Sequence, residues 1–97
     1  MPGYISLLKY TPKAIADLKG SPQRVEDAKA TAGKMGVRWV AFWSTAGAYD
    51  AICVIDAPND EAASAFFLAQ ASKGYVSTQS MRAYSETEWA ALVNKLP

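Results

Sequence analysis

VRWVAFWS (Val37–Ser44) and YDAICVIDA (Tyr49–Ala57), joined by Thr45-Ala46-Gly47-Ala48, are the stretch on which the fold turns. Both runs are rich in β-branched and aromatic residues and the joint contains a glycine, so together they predict a β-hairpin. Pro58 ends its second arm. The flanking segments then have to be elements that pack on or pair with this hairpin.

Upstream, Tyr4 to Tyr10 alternates Ile5/Leu7/Lys9 with Tyr4/Ser6/Leu8/Tyr10. Both sets are largely apolar or aromatic, as in a strand with two covered faces. Thr11-Pro12 and Ser21-Pro22 each set a capping hydroxyl before a proline, predicting two helix starts. The first helix ends near Gly20. The second, about Pro22 to Met35, spaces Val25, Ala28, Ala32 and Met35 helically and closes on Gly36. Downstream, Asn59 caps a helix whose first turn holds Asp60 and Glu61, with Ala62, Phe66 and Ala69 on one stripe and Phe67 beside it. Gly74 stops it near Lys73. Val76 to Tyr84 reads as the last strand, and Ser85-Glu86-Thr87-Glu88 as a capping box opening a terminal helix with Trp89, Leu92, Val93 and Leu96 on one face.

The order is strand, helix pair, strand, strand, helix, strand, helix. Right-handed crossovers and short connections favour an α+β split β-α-β sheet of four antiparallel strands in the order 4-1-3-2. In that order strands one and three are neighbours, and one register sets Ile5 on Val54, Leu7 on Ile52 and Lys9 on Asp50. The paired aliphatics are read as the helix-covered face. The opposite face then collects Tyr4, Ser6, Leu8, Tyr10, Trp39, Trp43, Tyr49, Ala51, Cys53, Ile55, Thr78, Ser80, Arg82 and Tyr84. That much aromatic surface left in water costs several kcal/mol at roughly 25 cal/mol per Å². The expected remedy is a second subunit whose sheet packs face to face, enclosing a pocket.

Composition bounds the chemistry. With 97 residues the chain makes a single domain, 1–97, and its 51% apolar and 11% aromatic content belong to a folded one. A net charge of +1 with both signs interspersed gives no footprint for nucleic acid or an anionic membrane. The start lacks a basic stretch before an apolar one, and no run approaches the roughly 18 apolar residues of a span, so the expectation is cytoplasmic. One cysteine makes no intrachain disulfide, and the lack of histidine removes the common metal sites and histidine acid/base chemistry. No phosphate loop or nucleotide fingerprint is present, so neither a cofactor nor a metal is expected.

The joint Gly47-Ala48-Tyr49-Asp50 resembles the signature of the GYD-domain family, in which a glycine, a tyrosine and an aspartate mark the start of the third strand. Tyr4 to Tyr10 followed by Thr11-Pro12, the Asp56 to Glu61 turn, and Thr78 to Tyr84 fit that family from end to end. The resemblance implies a ferredoxin-like fold of the dimeric α/β-barrel kind, β-α-β-β-α-β with a C-terminal helix added, and carries no established reaction with it.

Candidate site residues follow from the inward face. A pocket lined by Tyr4, Ser6, Tyr10, Trp39, Trp43, Cys53, Thr78, Ser80 and Tyr84 suits an aromatic molecule bearing an oxyanion, held in forked geometry by Arg82. The plainer reading is that these side chains fill a subunit interface, where tyrosine, tryptophan and arginine are enriched. Asp50 could serve as a general base with Tyr49 or Tyr10 as acid or oxyanion donor; equally, it could pair with Lys9 or hold the adjoining loop. Cys53, mid-strand among apolar neighbours with no histidine to activate it, reads as a small core residue. Three functions fit. The first is an oligomeric small-molecule-binding or accessory protein with its pocket between packed sheets. The second is a cofactor-free isomerase, cyclase or monooxygenase using Asp50, Tyr49 and Arg82. The third is a structural protein whose apolar face binds a partner.

Overall fold

A computed structural model describes residues 1–97. The chain runs β1 (Gly3–Tyr10), α1 (Pro12–Ile15), a 3₁₀ turn (Leu18–Gly20), α2 (Ser21–Lys34), β2 (Arg38–Ser44), β3 (Ala51–Asp56), α3 (Asp60–Ser72), β4 (Val76–Ala83) and α4 (Glu86–Val93). The sheet order is β2-β3-β1-β4 with every neighbour antiparallel, the expected 4-1-3-2 read from the other edge. Ile5 pairs with Val54 and Leu7 with Ile52, as the hydrophobic pattern requires.

The helix boundaries follow local chemistry. The Thr11 hydroxyl accepts from Ala14 N and the Asn59 side chain from Ala62 N, so each caps its helix. Ser85 and Glu88 form a reciprocal capping box at α4. Gly36 and Gly74 take φ of +70° and +81° just past α2 and α3, the left-handed stop that only glycine adopts without strain. Ser21 differs from expectation: α2 begins at Ser21 itself with Gly20 at the cap position, and no side chain caps it.

The covered face is the reverse of the one expected. Tyr4, Cys53, Ile55 and Ala57 join Ala32, Val37, Ala63, Phe66 and Phe67 in the core beneath α2 and α3. Ser6 lies on the same side with no exposure at all, and its hydroxyl meets that of Ser80 at 2.9 Å. Size complementarity explains the reversal. α3 brings two large rings, Phe66 and Phe67, set 5.7 Å apart, over strand positions that include the small residues Ser6, Ala51 and Cys53. Ile5, Leu7, Ile52 and Val54 therefore line the sheet's open face, with Met81 beside Ile5.

A second correction lies in β2. Trp39 pairs with Ile55, whereas Ala41 pairs with Val54 and Trp43 with Ile52, because the register slips between Trp39 and Ala41. The bulge at Val40 inserts one residue and turns the rest of the strand over. Trp39 thus faces the helices, stacked on Phe42 at 5.7 Å, whereas Trp43 stands on the open face, 59% exposed.

α4 stands apart. Trp89 and Val93 are exposed, as is Leu96 just beyond the helix, by 70%, and Arg82 of β4 reaches Glu88 of α4 at 3.7 Å. The radius of gyration, 14.6 Å, exceeds the about 12.5 Å expected for a compact chain of this length, in keeping with a helix that projects from the rest of the chain.

Candidate functional site

The space between α2, α3 and the sheet forms a cavity of about 220 Å³. Its apolar walls are Leu8, Val25, Ala28, Trp39, Phe42, Phe66, Phe67 and Val76, with Cys53 at the sheet. Its polar groups are Tyr10, Ser21, Arg24, Asp27, Gln70, Lys73, Tyr75 and Thr78. Both helices reach it through stripes set at helical spacing. On α3 the stripe Ala63, Phe66, Phe67 continues to Gln70; on α2 Arg24 precedes Ala28 and Ala32 by four and eight positions.

Arg24 is held firmly. Its Nη1 donates to the Asp17 carbonyl at 3.0 Å and lies 3.4 Å from Asp17 Oδ2, and its guanidinium stacks 4.4 Å from the Tyr75 ring centre. Lys13 Nζ lies 4.3 Å from the same ring centre. Asp27 accepts from the Gln23 amide at 2.9 Å. Two buried donors have no acceptor: Arg24 Nη2 and Gln70 Nε2.

The residues marked in the sequence divide among three places. Tyr10, Trp39, Cys53 and Thr78 come together in the cavity. Tyr4, Ser80, Arg82 and Tyr84 gather with Asp60 at the far end of the sheet in a second depression. There the Tyr4 hydroxyl donates to Asp60, and Arg82 lies between the rings of Tyr4 and Tyr84, 5.6 and 4.4 Å from their centres, while donating to the Gly3 and Ala83 carbonyls. The hydrogen bond to Asp60 and burial raise the Tyr4 phenol above its ordinary range. Glu88 is held below the usual carboxylate range by the hydrogen bonds of the Ser85 cap, with Arg82 adding to them. Trp43 and Tyr49 belong to neither place: Trp43 is on the open face, and the Tyr49 hydroxyl donates to Gln79 at 2.6 Å.

Asp50 and Arg82 do not form one centre. Asp50 Oδ2 accepts from Tyr10 N at 2.8 Å, and its own N–H donates to Leu8 O at 2.8 Å, so the side chain secures the end of β1. Lys9, the expected partner of Asp50, instead stands 5.7 Å from the Tyr49 ring centre. Arg82 pairs with Tyr4 at the opposite end of β1, roughly 20 Å away at about 3.3 Å per strand residue.

Burial pushes the Cys53 thiol up from 9.0 to about 12. It stays protonated at neutral pH and is no nucleophile. Below about pH 9 the thiol is neutral in the folded and unfolded chain alike. Above it only the unfolded chain releases the proton, so stability falls as pH climbs toward 12, by about tenfold in the folding equilibrium per pH unit. Urea melts of the protein and Cys53→Ala between pH 8 and 11 should therefore converge as pH rises. Parallel curves would contradict the burial.

Arg24, Gln70, Lys73 and Tyr75 escape a reading of the strands alone. One signal was available: Gln70 sits where the Ala63-Phe66-Phe67 stripe calls for an apolar residue.

No helix is long and apolar enough to cross a membrane. No curated protein matches the sequence. The crystal structure of MtbAldR resembles this one with a TM-score of 0.67 at 13% identity over 88% of this chain. The chain spans about half of that protein, 52% of its length, and at so low an identity the likeness speaks for the fold alone. The GYD-domain profile, by contrast, matches residues 4–93. Together with the strand order and the Gly47 to Asp50 joint leading into β3, that match places the chain in the GYD-domain family.

Proposed function

We propose that the protein is a small-molecule-binding accessory domain that works as a homo-oligomer, with one ligand held by each subunit under its helices. The observation that carries the reading is the cavity itself. Side chains in protein interiors normally interdigitate to near-crystalline density, yet here Trp39, Phe42, Phe66 and Phe67 stand around about 220 Å³ of space. A largely apolar pocket with a few convergent polar groups is the usual form of a ligand site.

Association has its own support. The subunit exposes 6283 Å², roughly 900 Å² more than the about 5400 Å² expected for a compact monomer of its mass. That excess is close to the about 800 Å² each partner contributes to a standard interface. Apolar side chains are exposed on the open face, at Trp43 and Met81 with Leu7 and Ile52 partly so, and on α4, at Trp89 and Val93. A second copy offers the same apolar face and is its natural complement. Catalytic roles for Asp50, Tyr49 and Arg82 gain no support, since Asp50 and Arg82 lie at opposite ends of β1.

Native and denaturing mass spectra of the purified protein test the reading. The expected result is a dimer or larger even-numbered oligomer with extra mass of one small molecule per subunit, lost on denaturation. Bare subunit mass, together with an unchanged melting temperature across a broad set of small organic acids, amides and alcohols, would remove the ligand-binding reading.

A further inference from the structure

The polar end of the cavity narrows the class of ligand, an inference that rests on the binding function just proposed. Arg24 and Gln70 both line the cavity, and each carries a buried nitrogen, Nη2 and Nε2, that has no acceptor. A buried donor without a partner is costly, more so on a charged group. The Arg24 guanidinium is anchored, with Nη1 on Asp17 and its face on Tyr75. The free nitrogen is therefore held in place rather than waiting on a mobile side chain.

Two unsatisfied donors, one of them cationic and held in place, call for an acceptor group with two oxygens and a negative charge. The facing charges agree. Lys73 lines the same cavity and Lys13 stands over Tyr75, while the one acidic lining residue, Asp27, is already engaged by Gln23. Beyond the donors the walls include the aromatic rings of Trp39, Phe42 and Phe66, which accept an apolar body. We propose that the cavity between α2, α3 and the sheet binds a small aromatic or short-chain aliphatic carboxylate, its carboxylate on Arg24 Nη2 and Gln70 Nε2 and its apolar body against Trp39 and Phe42.

The test uses the full chain with phenylacetate and its neutral isostere 2-phenylacetamide, titrated by calorimetry, with hexanoate and benzoate as further acids. Phenylacetate should bind one per subunit and at least tenfold more tightly than the amide. Arg24→Met should bring the two ligands to within about twofold of each other by removing the charged donor. Gln70→Glu should place a carboxylate beside Arg24, raise the melting temperature of the ligand-free protein and weaken phenylacetate about a hundredfold or more. Circular dichroism melts identify a variant that has failed to fold; Gln70→Leu, which keeps the volume, then stands in, with an expected tenfold loss for the acid. Equal affinity for acid and amide would overturn the carboxylate assignment and leave the binding function standing. Failure of all four compounds at millimolar concentration, with no small molecule retained in native spectra, would overturn both.

Discussion

Phe66→Ala should lower the unfolding free energy by about 3–5 kcal/mol, a large part of the roughly 5–15 kcal/mol that holds a domain of this size together. Phe66 is 1% exposed and sits where α3 meets β1 and β3, between Phe67 and the small residues of the sheet. Truncation removes most of a ring from that layer, and the strands cannot collapse to fill the space because Ser6, Ala51 and Cys53 are already small. Urea unfolding measures it, with the midpoint expected to fall and the slope to hold. Leu68→Ala, two positions on and 69% exposed, should cost less than about 1 kcal/mol. If the two variants lost the same amount, the packing of α3 on the sheet described above would be wrong.

The second large effect concerns the open face. Leu7→Asp should turn the proposed oligomer into monomers, raising its dissociation constant by at least about a hundredfold. A two-fold interface buries the new carboxylate twice, each copy without a partner, at a cost of several kcal/mol in all. Folding should survive, because Leu7 lies outside the helix-side core. Sedimentation equilibrium reads the change, and circular dichroism confirms the fold. Ser6→Asp is the control: one position along, with no exposure and facing Ser80, it should abolish folding rather than association. A parent protein that sediments as a monomer at micromolar concentration would end the case for a partner on this face, as would a Leu7→Asp oligomer as tight as the parent.

That pair of variants also marks where the sequence stops being readable. Strand order, strand register and most helix caps follow from local pattern: the Ile5–Val54 and Leu7–Ile52 pairings and the Thr11, Asn59 and Ser85 caps are all where the residues place them. Which side of the sheet the helices cover is not a local property. Both faces of β1 are largely apolar, so alternation fixes that there are two sets but not which set is covered. The choice is made by the bulk of Phe66 and Phe67 on a distant helix. The Val40 bulge is hidden for a related reason, since an unbroken run of apolar residues in β2 looks the same with or without a one-residue slip. The candidate site was half legible. Tyr10, Trp39, Cys53 and Thr78 come from strands and share a face by simple alternation, whereas Arg24 and Gln70 reach the cavity only through the packing of α2 and α3.

The bulge at Val40 also gives this chain a set of optical reporters. Because the strand turns over between Trp39 and Trp43, the three tryptophans sit in three different surroundings: Trp39 in the cavity wall, Trp43 on the open face and Trp89 on α4. Variants that keep one indole at a time would convert these places into separate emission signals. Quenching of Trp39 by an aromatic ligand and a blue shift of Trp43 on the proposed association would then time the two events independently in one stopped-flow experiment, with Trp89 reporting on α4 and without any attached dye.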